Sequence, residues 1–164
     1  MDDAWVVPGF RLKLAAAQRM IDAALASAQN MIVEVCVVVA DTGGNLLAFA
    51  RMDGARVSVG HTAIAKARSA VIVGKESGGI EFELGLQIAI AHHGEWSSLK
   101  GGVPVIYRGS VVDGIGVGSA TTEQDIAIAR TAVQSQGLSA TWGFDNSPLS
   151  SSARETASPN GCTA

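Results

Sequence analysis

The segment spanning residues 49–70 gathers ionisable side chains in a chain that otherwise carries few. Only 16% of the 164 residues are Asp, Glu, Lys or Arg, against about 25% in typical soluble domains. A planar guanidinium binds a carboxylate through paired hydrogen bonds, and an imidazole exchanges protons near neutral pH. These residue types predict a site that holds a carboxylated ligand and moves a proton. The segment FARMDGARVSVGHTAIAKARSA contains Arg51, Asp53, Arg56, His61, Lys66 and Arg68.

A predicted helix over 59–73 places these groups on different faces. Ser58 is the expected N-cap, and Gly74 lies near the end of the helix. His61 and Lys66 fall on neighbouring faces, so they cannot both point into one pocket. A third face of small residues is suited to close packing on a sheet, and it consists of Ala63, Ala67 and Ala70.

Two interpretations of this cluster remain open. In the functional one, Arg51, Lys66 or Arg68 anchors a carboxylate beside Asp53, and His61 transfers a proton, because the positive end of the helix dipole disfavours the imidazolium form. In the other, His61 and Lys66 are surface groups, and Arg51 and Asp53 form a surface salt bridge that adds little stability.

A second group of reactive side chains lies in the stretch IAHHGEWSSLK. His92 and His93 are adjacent, so on a helix their rings point about 100° apart and do not readily chelate one metal together. We assign no metal ligand, although His61, Glu95 and one of these rings are ligand types for zinc or iron. The candidate catalytic residues are His92, His93, Glu95 and Lys66, with His92 or His93 for proton transfer and Arg51 or Lys66 as the carboxylate anchor. The alternative is that both histidines cap the preceding helix, and Trp96 either stacks on a flat ligand or covers the core.

Glycines form a third feature. Gly101 and Gly102 precede Val-Pro and allow the backbone to approach a ligand or a neighbouring element closely. The stretch GIGVGS lacks the spacing and the surrounding β-α-β unit of a dinucleotide-binding fingerprint. We place both glycines in the candidate ligand-binding set, with tight strand turns as the alternative.

The elements that must position these residues follow from periodicity and turn residues. The pattern predicts an α+β fold with a mainly antiparallel sheet, because hairpin signals join the strands in pairs. The strand over 32–41 is apolar on both faces and is expected at the centre of the sheet. In chain order we predict a helix over 10–30, strands over 32–41 and 46–52, helices over 59–73 and 80–92, strands over 103–107 and 110–118, and a helix from Thr121 or Thr122 to Gln136.

The chain length fits one domain, which we place at 1–138. The segment 139–164 is rich in Ser, Thr, Asn, Gly and Pro, and we expect a tail that is mobile or wraps a partner subunit. Trp142 and Phe144 are the residues that would dock it. Cys36 is expected to be a buried apolar residue, without a disulfide to Cys162.

Composition excludes several classes of function. The net charge is -3, and the basic residues form no cluster, so nucleic acid is not an expected partner. No apolar run reaches the roughly 18–20 residues that span a bilayer, and the N-terminal residues lack a signal-peptide pattern. We therefore expect a cytoplasmic protein that does not bind membranes.

Four motifs, in this order, resemble the GlcG/HbpS-like family, which includes the C-terminal domain of PduO-type proteins. They are VVVADTGGNLLAFARMDGA, AIAKARSA, GGVPVIYRGSVVDGIGVGSAT and EQDIAIA. The resemblance implies a profilin-like or PAS-like sheet of about five strands flanked by helices, a homo-oligomer, and a link to haem or corrinoid handling. Lys66 lies in the second motif. The stretch IAHHGEWSSLK departs from the family pattern.

We therefore expect a protein that binds a flat carboxylated ligand, with haem as the candidate cofactor. One alternative is a cofactor-independent lyase or isomerase of aromatic acids, for example a hydroxylaminobenzoate lyase that releases ammonia. Another is a structural oligomer without a pocket. The expected pocket lies near Arg51, His61, Lys66, His92, Gly101 and Gly102.

Overall fold

The computed structural model describes residues 9–141, and the predicted tail beyond 141 lies outside this range. This range contains four helices and four strands. In chain order they are α1 (Leu14–Asn30), β1 (Cys36–Asp41), β2 (Leu46–Arg51), α2 (Val59–Val73), α3 (Phe82–Ala91), β3 (Gly102–Tyr107), β4 (Ser110–Gly118) and α4 (Thr122–Gln134).

The strands form one antiparallel sheet in the order β2-β1-β4-β3. This confirms the predicted α+β class, but the expected count of about five strands is one too high for the part of the chain that is described. β1 lies at the centre, as predicted, and its residues from Cys36 to Ala40 are fully buried. Valine is suited to such a strand because both faces of β1 are covered by helices.

The two faces of the sheet carry different helices. Val37 and Val39 point into a large core with α1 and α4, whereas Cys36 and Val38 pack against α2. Arg108 and Gly109 make the predicted two-residue turn between β3 and β4, and both have positive φ values, 48° and 75°, as a tight hairpin requires.

The helix predictions hold with local corrections. α2 has the predicted limits, but the side chain of Ser58 makes no capping hydrogen bond. α1 begins at Leu14 rather than at residue 10, because the preceding residues are extended and the backbone N–H of Leu12 donates to Asp113 Oδ1 at 3.3 Å. Leu14, the first residue of α1, is half exposed. The buried face of α1 consists of Ala17, Met20, Ile21, Ala24 and Ala28.

α3 is shorter than predicted, and α4 begins where Thr121 makes a capping box with Gln124. The chain stays attached beyond residue 138, because Ser139 pairs with Ile106 through both backbone groups and Ala140 is buried. No helix within residues 9–141 is both long enough and apolar enough to cross a bilayer.

Candidate functional site

Lys66 lies on the side of α2 that faces the sheet, and its side chain is buried. Its Nζ donates to Asp125 Oδ2 at 2.9 Å and to the carbonyl oxygen of Val117 at 2.8 Å. The Lys66 and Asp125 side chains are only 8% and 4% exposed. Burial raises the pKa of Asp125, while the bond to Lys66 and the Lys66 charge oppose this shift. The ammonium group thus joins α2, β4 and α4 in the interior.

The two predicted glycines lie directly beside this ion pair. Gly101 has a φ of +118°, and a Cβ there would lie 2.9 Å from Lys66 Nζ. A Cβ on Gly102 would overlap the carbonyl oxygen of Lys66, and one on Gly116 would overlap that of Ala63. These glycines therefore let the α2 backbone rest directly on β3 and β4. The structure brings Lys66, Gly101 and Gly102 together, but in the core.

Arg51 and His61 lie outside this buried cluster, and both residues are exposed. Arg51 and Phe49 are the cross-strand partners of Cys36 and Val38 on β1. Because Cys36 and Val38 face α2, the side chains of Arg51 and Phe49 share that face of the sheet. β2 is an edge strand, so this part of the face is only partly covered by α2.

Phe49 and Gly60 meet at this edge. A Cβ on Gly60 would lie 3.7 Å from the Phe49 ring, which is 46% exposed. His61 follows Gly60 in the first turn of α2 and is exposed. We call the surface made by Phe49, Arg51, Gly60, His61 and Arg68 the β2–α2 shelf.

Arg68 marks the far end of the shelf. Its Nε donates to the carbonyl oxygen of Gly44 at 2.6 Å, and its Nη1 lies 3.0 Å from Glu95 Oε1. His61 and Arg68 are seven residues apart, which corresponds to about 10 Å along the helix axis. Glu95 is 65% exposed, so this end of the shelf remains open to solvent.

The stretch containing His92 and His93 is linked to the shelf through Glu95. The backbone N–H of Glu95 donates to the carbonyl oxygen of His92 at 2.9 Å. Both imidazoles are exposed, and His93 has a φ of 54°. The structure therefore places these histidines at the Arg68 end of the shelf, away from His61 at the other end.

Trp96 and Asp53 do not take part in the shelf. Trp96 is 4% exposed, and its ring lies against Gly85 of α3, so it covers the core rather than offering a stacking surface. Asp53 is exposed in the turn after β2, and no ion pair joins it to Arg51 within residues 9–141. In the same range, no three His, Cys, Asp or Glu side chains form a group that could hold a metal ion.

Cys36 lies beneath the shelf and is fully buried. Burial raises the pKa of its thiol to about 11, although the charge of Arg51 lowers it slightly. The thiol is therefore neutral at physiological pH and unavailable as a thiolate. This agrees with the predicted role of Cys36 as a buried apolar residue.

Sequence reasoning missed the residues that support these groups. Ser69 accepts a hydrogen bond from Ser97 N at 2.8 Å, and Ser77 accepts one from Gly102 N at 2.8 Å. The first contact attaches the loop between α3 and β3 to α2, and the second attaches the start of β3 to the loop that follows α2. Asp125 lies in the first turn of α4, where the helix dipole favours an acid. Its burial was not predictable, because its partner lies 59 residues away.

Asp113 is a further buried carboxyl that sequence reasoning did not single out. It is 1% exposed, and its Oδ2 has no hydrogen-bond partner. Burial raises the pKa of Asp113 to about 7, against the lowering effect of the N–H of Leu12, and the neighbouring charge of Asp41 adds to the rise. Asp41 is its cross-strand partner and accepts hydrogen bonds from Gly43 and Asn45.

Two known proteins are similar in sequence to most of this chain. A 15.0 kDa uncharacterised protein from the dhaT-dhaS intergenic region of Citrobacter freundii is 34% identical over 129 residues, which cover 74% of this chain and 89% of that protein. Protein GlcG of Escherichia coli (strain K12) is 32% identical over 112 residues, which cover 65% of this chain and 84% of GlcG.

Solved structures share the fold. A double mutant of Streptomyces reticuli HbpS matches with a TM-score of 0.72 and 29% identity, covering 82% of this chain and 93% of HbpS. A complex of PduOC with haem matches with a TM-score of 0.72 over 81% of this chain and all of PduOC, and at 24% identity it supports the fold alone. The family model described as haem degrading protein HbpS-like matches residues 12–134. The chain therefore belongs to the HbpS-like family.

Proposed function

We propose that this protein binds a flat carboxylated small molecule on the β2–α2 shelf, and that haem is this ligand. The observation that carries the proposal is the half-exposed Phe49 ring, which shares one face of β2 with Arg51, while Arg68 bonds to Gly44 in the turn before β2. An aromatic ring offers a face for a planar ligand, and guanidinium groups bind carboxylates. Membership of the HbpS-like family, whose model is described as haem degrading, supports the same ligand class.

The residues of the shelf fit the chemistry of haem. His61 is exposed, and imidazole nitrogen is a common axial ligand of haem iron. Arg51 and Arg68 would hold the propionates, and Phe49 would contact the porphyrin face. The roughly 10 Å between His61 and Arg68 along α2 allows one flat ligand to reach both. The buried Cys36 thiol would not serve as a ligand, because it stays protonated.

Haemin titration of the full chain tests this proposal. We expect a saturable Soret band with near-stoichiometric binding. Phe49→Ala and Arg51→Gln should each weaken binding about tenfold, because a stacking surface or a charge-assisted hydrogen bond is lost. His61→Ala should shift the Soret maximum. Arg130→Gln, which removes an arginine distant from the shelf, is the matched control. Unaltered affinity and spectrum in all three shelf variants would contradict the proposal.

The exposed His92 and His93 favour a second candidate function, the lyase of aromatic hydroxylamino acids. Glu95 pairs with Arg68 and follows the two histidines in the chain, so Arg68 would serve as the carboxylate anchor and the imidazoles as the proton-transfer groups. In this reaction a hydroxylaminobenzoate and water give a dihydroxybenzoate and ammonia. The N–O bond breaks as the hydroxyl oxygen bonds to the neighbouring ring carbon, which leaves an imine at the carbon that carries nitrogen. Water then adds to this imine carbon, the C–N bond breaks, and the nitrogen leaves as ammonia with a proton that an imidazole delivers.

Ammonia release from 4-hydroxylaminobenzoate tests the second candidate. His92→Ala or His93→Ala should lower turnover by about 100-fold, which is the ordinary contribution of general acid–base catalysis. The exposed Gln87→Ala, on the preceding helix α3, is the control. Turnover that is equal in the wild-type protein and in both histidine variants would remove these roles.

We further propose that the protein is a homo-oligomer in which a second copy covers α3. Gly85 is the one buried residue of this helix, and a helix this apolar is ordinarily covered. Light scattering should show a mass above that of the 16.8 kDa chain, with Phe82→Glu lowering it. Ile32→Glu is the control, because it also replaces an exposed apolar residue by Glu but lies outside α3. A monomeric wild-type protein would overturn this proposal. The exposed apolar residues of α3 are Phe82, Leu84, Leu86 and Ile90.

A further inference from the structure

A groove lies on the face of the sheet opposite the β2–α2 shelf. Its walls are the extended segment before α1, the first turns of α1, the β3–β4 hairpin and the residues after α4. Its volume is about 310 Å³, at the lower end of the range for small-molecule sites. The proposed haem site uses none of these residues.

The groove carries positive charge and no acid. Arg11, Lys13 and Arg19 line it, whereas no Asp or Glu does. None of the three forms a salt bridge within residues 9–141. Arg11 is close enough to Asp41 to interact with its carboxylate, so Lys13 and Arg19 carry the uncompensated charge. This arrangement attracts an anion.

Arg19 is held across the groove. Its Nε donates to Gln136 Oε1 at 3.0 Å, which links α1 to the residues that follow α4. This bond fixes the plane of the guanidinium and uses only one of its nitrogen atoms. The terminal nitrogens remain for another acceptor, and a fixed guanidinium loses less conformational entropy when it binds a carboxylate.

An aromatic pair forms the other wall. Phe10 and Tyr107 meet edge to face, with ring centroids 5.0 Å apart and an interplanar angle of 85°. The Arg108 guanidinium carbon lies 5.3 Å from the Tyr107 ring centroid. Both rings stay partly exposed, at 46% and 37%. An apolar planar group between these rings and the alanines of α1 would bury surface on both sides.

We infer that this groove binds a monocyclic aromatic carboxylate. The cations select a carboxylate, and the aromatic wall selects a planar ring over a bare anion such as phosphate. A porphyrin is too large for a groove of about 310 Å³. This site is independent of the proposed haem site, since the two lie on opposite faces of the sheet.

Isothermal titration of the full chain with 4-hydroxybenzoate tests the inference. Lys13→Gln and Arg19→Gln should each weaken binding about tenfold, because each removes one charge-assisted hydrogen bond. Tyr107→Ala should weaken it about fivefold or more. The exposed controls Lys75→Gln and Arg56→Gln should leave the affinity unchanged. The uncharged 4-hydroxybenzamide should bind at least tenfold more weakly than 4-hydroxybenzoate.

Three results would overturn the inference. The first is no heat of binding in the wild-type protein at millimolar 4-hydroxybenzoate. The second is equal affinity in the wild-type protein and in the Lys13 and Arg19 variants. The third is inorganic phosphate binding as tightly as 4-hydroxybenzoate, since the aromatic wall would then contribute nothing. Haemin titration of Lys13→Gln distinguishes the two sites. This groove variant should give the same Soret band as the wild-type protein, because the proposed haem site uses only shelf residues.

Discussion

The buried ion pair between Lys66 and Asp125 makes the sharpest prediction about stability. Lys66→Met keeps the aliphatic part of the side chain and removes the ammonium. Asp125 then keeps one hydrogen bond to the carboxylate, from the N–H of Ala120 at 3.2 Å. A buried carboxylate left without its partner typically costs about 3–5 kcal/mol.

The size of this effect follows from the burial of both partners. Their side chains are 8% and 4% exposed, so solvent cannot replace the lost contact. For a domain of this size each kcal/mol lowers Tm by about 2–4 °C, and we expect Lys66→Met to lower Tm by roughly 6–20 °C. Burial already raises the pKa of Asp125. The variant should therefore recover part of its stability as the pH falls towards 4 and the carboxyl becomes protonated.

Urea unfolding followed by circular dichroism measures this cost. The double variant Lys66→Met, Asp125→Leu removes both charges, so its stability should return to within about 1–2 kcal/mol of the wild type. Arg130→Met breaks a more exposed ion pair with Glu76 and should cost less than about 1 kcal/mol. The reasoning is refuted if Lys66→Met costs no more than Arg130→Met, or if the double variant is as unstable as the single one.

Three further predictions concern other buried or capping groups. Because the pKa of Asp113 is raised to about 7, the stability that its protonated form contributes is lost as the pH rises from about 4 to 7. Asp113→Asn should therefore exceed the wild type by about 1–3 kcal/mol at pH 8 and match it near pH 4, and a variant weaker at both pH values in urea unfolding would contradict this. Gly116→Ala should cost about 2–3 kcal/mol or more in the same assay, because its Cβ would overlap the Ala63 carbonyl oxygen; a neutral change would mean that α2 shifts freely. Thr121→Ala should lower Tm by the equivalent of about 1 kcal/mol through loss of the capping box, whereas the adjacent Thr122→Ala should not.

Local signals predicted the elements of this fold well. The limits of α2 follow from its periodicity and from Gly74, which has a φ of 67°. The Arg108–Gly109 turn follows from the backbone geometry that a two-residue hairpin requires. The start of α1 was missed because the N–H of Leu12 is bonded to Asp113, a residue 101 positions later in the chain. Local propensity contains no information about such a contact.

The candidate site was predictable in its residue types but not in its arrangement. Sequence spacing showed that His61 and Lys66 lie on different faces of α2, but not that Lys66 faces the core. That distinction depends on Asp125, which reaches Lys66 only after the sheet has brought α2 and α4 together. Trp96 was equally ambiguous, because its burial depends on the packing of α3 beside it, which the sequence does not show.

α3 has a consequence for the dynamics of the molecule. This helix has ten residues, and only Gly85 among them is buried, so in a single subunit little apolar surface holds α3 in place. The residues that follow are fixed more firmly, by Trp96 and by the bond from Ser97 to Ser69. Amide hydrogens of α3 should therefore exchange with solvent through local opening, at a free energy well below that of global unfolding. In a subunit whose α3 is covered by a second copy, the same amides would exchange more slowly.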